Sequence, residues 1–161
     1  MVIARRQLLR GRRERPPLRP PWLLDPASFT LACTRCGACT ERCPEQIVRP
    51  GDGGFPEIDF SRGECTFCGE CTLDCEAQLF LSRADQQIPA WTYTARIDPD
   101  TCLASQGVHC RSCEDYCEPQ AIRFPARAGG VPQPVLETAT CTGCGACVAP
   151  CPPRAIAVGV S

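Results

Sequence analysis

Residues 33–44 read CTRCGACTERCP, and the pattern returns at 65–76 as CTFCGECTLDCE and at 141–152 as CTGCGACVAPCP. Each stretch is a C-x2-C-x2-C-x3-C run: Cys33, Cys36, Cys39, Cys43; then Cys65, Cys68, Cys71, Cys75; then Cys141, Cys144, Cys147, Cys151. A further group, CLASQGVHCRSCEDYCEP at 102–119, keeps the second half of the run in Cys110, Cys113 and Cys117. Its first cysteine, Cys102, is separated from Cys110 by seven intervening residues. The four groups account for all 16 cysteines.

The spacing has a chemical reading. Three thiolates two residues apart, on a loop curling around a cube, reach three irons of one 4Fe–4S cluster. The fourth, three residues on, has entered a helical turn and points away; in two-cluster proteins it serves the neighbouring cluster. Small residues inside the loops (Gly37, Ala38, Gly69, Gly143, Gly145, Ala146) let the backbone approach the sulfides. A disulfide framework would not impose one spacing four times, and it belongs to secreted chains. Zinc sites pair two C-x2-C knuckles across a longer loop. All 16 cysteines are therefore expected to be iron ligands, with up to four 4Fe–4S clusters as cofactor.

The rest of the composition agrees. In 161 residues, aromatics make up 6%, and 17 prolines with 13 glycines interrupt long elements. Such a chain cannot rest on a large apolar core and needs metal or disulfide staples. The cluster-free protein is expected to be largely unfolded, because ligand binding is folding energy here.

Charge divides the chain. Every basic side chain is arginine. Residues 1–21 hold seven of them against the single acid Glu14, while the remainder is net acidic. Arg5 and Arg6 followed by Leu8 and Leu9 look like the start of a twin-arginine export signal, but RGRRERPPLRPPW follows at once, with no apolar run and no cleavage site. Residues 1–30 are expected to be a flexible, basic Arg/Pro-rich tail on an extended proline spacer, with Arg5, Arg6, Leu8, Leu9 and Arg10 offered to a partner. Nucleic acid is a poor fit, since the body is acidic and no aromatics interleave with the arginines. No segment approaches the ~18 apolar residues of a membrane span.

Flanking residues repeat as well. Apolar pairs follow each fourth cysteine: Ile47-Val48, Leu79-Phe80, Ala121-Ile122, Ala155-Ile156. Phe60, Ile97 and Leu136 precede the later groups by five residues. Turn-rich stretches lie between them at 50–54, 84–87 and 126–130, so each linker reads as strand, turn, strand. This organisation resembles the bacterial 2×(4Fe–4S) ferredoxin fold, duplicated. The resemblance implies an α+β architecture of two tandem ferredoxin-like modules with short helices and hairpins, residues 31–88 and 89–161, after the basic tail. It further implies four ligand sets: Cys33, Cys36, Cys39 with Cys75; Cys65, Cys68, Cys71 with Cys43; Cys102, Cys110, Cys113 with Cys151; and Cys141, Cys144, Cys147 with Cys117. A nested scheme, joining the first run to the fourth and the second to the third, stays open at this point. So does replacement of Cys102 by His109, the only histidine.

No enzyme is expected. Every cysteine has a cluster role, the lone histidine has no nucleophile beside it, and neither a phosphate loop nor a dinucleotide fingerprint occurs. The amino-terminal ARRQLLRG, the RPPW before the first run, CTRCGACTERCP and the stretched CLASQGVHCRSCEDYC together resemble the NapF ferredoxin-type accessory proteins of periplasmic nitrate reductase systems. That resemblance implies a cytoplasmic protein contacting the precursor of the nitrate reductase catalytic subunit before export, assisting its maturation by cluster assembly or electron supply. A general multi-cluster electron carrier and a structural or sensing cluster protein are the other classes the sequence allows.

Overall fold

A computed structural model of the chain describes residues 16–160. Its elements are short, as the proline and glycine content requires. The helices are α1 (Phe29–Ala32), α2 (Ala38–Glu41) and α3 (Ser112–Asp115). The strands are β1 (Val48–Pro50), β2 (Pro56–Ile58), β3 (Tyr93–Ile97), β4 (Ile122–Arg123), β5 (Val135–Leu136) and β6 (Ile156–Val160).

Three antiparallel pairs hold the strands. β1 and β2 close a hairpin over the 50–54 turn, with Val48 opposite Ile58. β4 and β5 do the same over 126–130, with Ile122 opposite Leu136. β3 pairs with β6 from Tyr93–Val160 to Ile97–Ile156, so the strand entering the second module meets the strand leaving it.

The middle linker departs from the expected hairpin. Residues 83–85 form a single 3-10 turn, and the strand-like residues on either side pair elsewhere. Leu79–Leu81 pair with the amino-terminal segment: Leu23 bridges Phe80, Leu24 donates to Leu79 O at 2.9 Å, and Leu81 donates to Trp22 O at 2.9 Å. Residues 22–24 are thus to the first module what β3 is to the second. The exposed backbone edge after Cys75 needs a partner, and this segment is the one available.

The expected tail boundary at residue 30 is corrected accordingly. Trp22 is 7% exposed and Pro21 is fully buried. Trp22 also donates its backbone N–H to Ala90 O at 2.8 Å and its indole N–H to Ile88 O at 3.3 Å. Leu18 O accepts from Ile58 N at 2.8 Å, and Arg19 bonds Pro56 O while lying over the rings of Phe29 and Phe55. Of the prolines at 16–21, Pro16 and Pro17 are exposed, whereas Pro20 and Pro21 are buried against the module. Residues 1–15, with Arg5, Arg6, Leu8, Leu9 and Arg10, lie outside the described residues.

Two small cores carry the modules. One gathers Ile47, Val48, Ile58 and Phe60, joined by Val158 from the far end of the chain. The other gathers Ala95, Ala104, Ile122, Phe124 and Ile156. Val148 packs against both. Buried cysteines occupy each core beside these residues, so the apolar packing and the thiol sites are one structure.

Candidate metal centres

Each loop that follows a first cysteine is bent by left-handed backbone. In the first, Arg35 (φ 60°) and Gly37 (φ 86°) turn the chain; in the second, Phe67 (54°) and Gly69 (75°); in the last, Gly143 (70°) and Gly145 (82°). Pairs of this kind point successive N–H groups into a concavity, a form that binds anionic groups, iron–sulfur clusters among them. The last loop has no room for anything larger than glycine: a Cβ on Gly145 would overlap the Phe60 ring, and one on Gly143 the carbonyl of Tyr93. The third loop lacks this pair. There Cys102 opens a turn closed by Gln106 N to Cys102 O at 3.1 Å, Ala104 is wholly buried in the module core, and Gln133 Nε2 donates to Ala104 O at 2.7 Å. The lengthened segment is therefore anchored by its own apolar peg.

A second repeat lies three residues beyond each fourth cysteine, where Gln46, Gln78, Gln120 and Arg154 all have φ between 51° and 54°. In each case that residue donates its N–H to the cysteine carbonyl three positions back, at 2.8–3.1 Å. The turn reverses the chain out of the cysteine run and into the following strand. Nothing in the residue types announces it, since glutamine and arginine are ordinary residues in an uncommon conformation.

The thiols fall into four sets. Cys33, Cys36, Cys39 and Cys75 line a cavity of about 180 Å³ walled by Phe29, Pro50 and Pro56. Cys43 lies with Cys65, Cys68 and Cys71. Cys117 lies with Cys141, Cys144 and Cys147. Cys113 sits within electrostatic reach of Cys102, Cys151 and Cys110. Each fourth cysteine has thus crossed to the adjacent run, and the nested scheme is not the one seen. His109 is exposed, and Cys102 is the group that completes the third set.

Burial governs the thiols. It pushes Cys65, Cys71, Cys113 and Cys147 up to about 12 and Cys39 to about 11, with neighbouring thiols adding to the effect; Cys144 is raised in the same way. Without metal these groups are neutral, and a bound cation must displace their protons. Among the described residues no three His, Cys, Asp or Glu side chains converge as a single ion requires. Sets of soft thiol donors, apolar walls and inward N–H groups instead suit iron–sulfur clusters.

The sets also neighbour one another. Cys71 senses Cys39 across the first module, and Cys147 senses Cys113 across the second. Between modules, Cys65 N donates to Cys144 O at 2.8 Å.

Comparison with known proteins places this arrangement. Residues 32–80 match one 4Fe–4S dicluster domain family and residues 108–155 another. The chain is an iron–sulfur protein of two tandem dicluster domains, with up to four 4Fe–4S clusters. It is 43% identical over 155 residues to the ferredoxin-type protein NapF of Escherichia coli (strain K12), spanning 95% of this chain and 92% of that one. To NapF of Haemophilus influenzae it is 47% identical over 139 residues, 86% of this chain and 77% of the other. It belongs to the NapF ferredoxin-type family. The methylamine utilization ferredoxin-type protein MauM of Methylobacillus flagellatus is more distant, at 29% over 168 residues, 89% of this chain and 71% of that one. Among the described residues no helix is long and apolar enough to cross a membrane.

Proposed function

We propose that this protein is a non-enzymatic accessory ferredoxin that acts in the cytoplasm on the precursor of a periplasmic nitrate reductase catalytic subunit, assisting its maturation before export. The supporting observation is the likeness to NapF over 95% of the chain, which takes in most of the arginine-rich amino terminus as well as the cysteine runs. In this reading the 16 cysteines are the ligands, in the four sets described. The clusters supply one-electron exchange when bound, at potentials tuned by hydrogen bonds, burial and charge. The chain's own residues do the rest. The left-handed loops present N–H groups to the sites, the two apolar cores bury Cys43, Cys65, Cys71, Cys113 and Cys147, and the crossed cysteines tie each site to its neighbour. Arg5, Arg6, Leu8, Leu9 and Arg10 form the client-binding arm, opposite in charge to the acidic body.

The test is a pull-down of the nitrate reductase precursor with full-length protein and with a chain lacking residues 1–15, alongside nitrate reductase activity in cells carrying each. The truncation stops at 15 because residues 18–24 belong to the fold. Loss of precursor capture and of activity with clusters intact supports the proposal; full retention of both refutes it. A second reading, a general electron carrier, is favoured by the unbroken succession of thiol sets through both modules. It requires reversible reduction by a redox partner with no dependence on the arm.

A further inference from the structure

The two modules meet at the second and fourth thiol sets. Cys65 opens the second run and Cys144 is the second cysteine of the last, and their backbones share the 2.8 Å hydrogen bond between Cys65 N and Cys144 O. Each of these residues also brings a thiol to its own set. The connection between the two sites therefore runs from one sulfur through a single residue, across one hydrogen bond and through a second residue to the other sulfur. None of the first or third run is involved.

The surroundings keep the two loops pressed together. Gly145 leaves no space between the last loop and Phe60, which sits five residues before Cys65, and Gly143 lies as tightly against Tyr93. Trp91 packs edge-on to both Phe60 (6.2 Å between ring centres) and Phe67 (5.6 Å), and its indole donates to Thr142 O at 3.0 Å. The aromatic cover spans the junction, with Phe60 and Phe67 from one side and Trp91 fixed to the other. Exposure does not separate the outer sites from the inner ones: Cys36 of the first and Cys68 of the second are both exposed, and Cys110 of the third and Cys144 of the fourth are both partly so.

We propose that Cys65 and Cys144 form the electron bridge between the modules, so that the four clusters make one line in the order first, second, fourth, third. One electron leaves the reduced cluster at one side of the bridge and enters the oxidised cluster at the other. No bond is made or broken and no proton moves. A one-electron donor docking at either outer cluster thereby reaches the cluster at the opposite end. The inference rests on the assignment of thiols to clusters, which iron analysis reports separately.

The experiment is electron paramagnetic resonance of anaerobically purified, dithionite-reduced full-length protein. Replacing Cys33 and Cys36 by alanine empties the first site, and replacing Cys102 and Cys110 by alanine empties the third. With both changes, iron falls by half and the remaining second and fourth clusters must show a split, mutually coupled spectrum. Two independent, uncoupled signals would overturn the bridge, whereas iron retained in full would overturn the ligand assignment instead. If the fourfold variant binds no iron, Trp91→Ala decides in an otherwise unaltered chain: with full iron content, the coupling between modules must weaken. An unchanged spectrum rejects the proposal.

Discussion

The carbonyl of Trp22 accepts the backbone N–H of Leu81 at 2.9 Å, tying the amino-terminal segment to the strand that leaves the second cysteine run. Truncation should therefore divide sharply. Removing residues 1–15 leaves the fold and cluster content unchanged, while removing residues 1–25 costs the first module its edge partner and a buried tryptophan. Trp22→Ala alone is expected to destabilise the holoprotein by about 3–5 kcal/mol. Chemical denaturation under anaerobic conditions measures it, and a loss below about 1 kcal/mol would mean the segment is not part of the core.

Cys43 belongs chemically to the run that follows its own. Serine at both Cys43 and Cys68 is thus expected to cost one cluster, because both changes fall on one site. Serine at both Cys43 and Cys36 is expected to cost two. Iron and sulfide content per chain separates these outcomes, and equal losses in the two double variants would contradict the crossed sets.

Glycines 37 and 145 share a positive φ but not the same surroundings. A Cβ at Gly37 meets nothing within 4 Å, whereas one at Gly145 runs into the Phe60 ring. Gly37→Ala should cost about 1–2 kcal/mol for left-handed backbone alone. Gly145→Ala should cost more and should also disturb the module junction. Comparing the two thermal midpoints tests the ranking.

The four left-handed turns after the fourth cysteines store relief that substitution can recover. Gln78→Gly removes the Cβ penalty of φ 51°. Net of the extra freedom glycine brings to the unfolded chain, the change is expected to stabilise by roughly 0.5–1 kcal/mol. Cluster content should stay constant. A destabilised variant would show that the glutamine side chain holds the turn.

Proton competition sets the pH dependence of cluster loading. Burial raises Cys65 and Cys71 from 9.0 to about 12. Below 9.0 the thiols keep their protons in the folded and unfolded cluster-free chain alike, so pH has no differential effect on that equilibrium. Between 9.0 and about 12 only the unfolded thiols ionise, and the folded cluster-free state loses stability as pH rises. Cluster binding consumes thiolate, and because the cluster-free chain is largely unfolded the competing protons are those of thiols ionising near 9.0. In anaerobic reconstitution with iron and sulfide, visible absorbance is expected to rise toward pH 9 and to level off above it, and acidification should release clusters with uptake of protons. A continued rise well beyond pH 9 would mean that the cluster-free chain is folded with its thiols buried.

Much of this was legible because cysteine spacing is set directly by ligand geometry. Cys33 to Cys43 and its three counterparts announce four sites, and a fourth thiolate beyond its loop points to a neighbouring cluster. Spacing leaves adjacent and nested partners open, and the fold places Cys75 with Cys33 and Cys43 with Cys65. The hairpins at 50–54 and 126–130 are written in their turn residues. The segment at 18–24 was not legible. Its prolines and arginines have the composition of a linker, and α1 inserts between its strand-like residues and Cys33, breaking the five-residue offset kept by Phe60, Ile97 and Leu136. The 84–87 stretch misled for the complementary reason: a turn signal does not say which strands will pair, and Leu79–Leu81 found Trp22–Leu24 rather than β3. The burial of Ala104 likewise depends on a cavity that only the folded second module provides.

The pairing of β3 with β6 has a consequence for the order of events at the ribosome. The last strand of the chain, ending at Val160, closes the second module, and Val158 reaches back into the core of the first. Cys75 must emerge before the first site has its full set, and Cys151 before the third. The first two sites thus have all their thiols once Cys75 is made, whereas the third waits for Cys151, so the second module is the later to complete its sites.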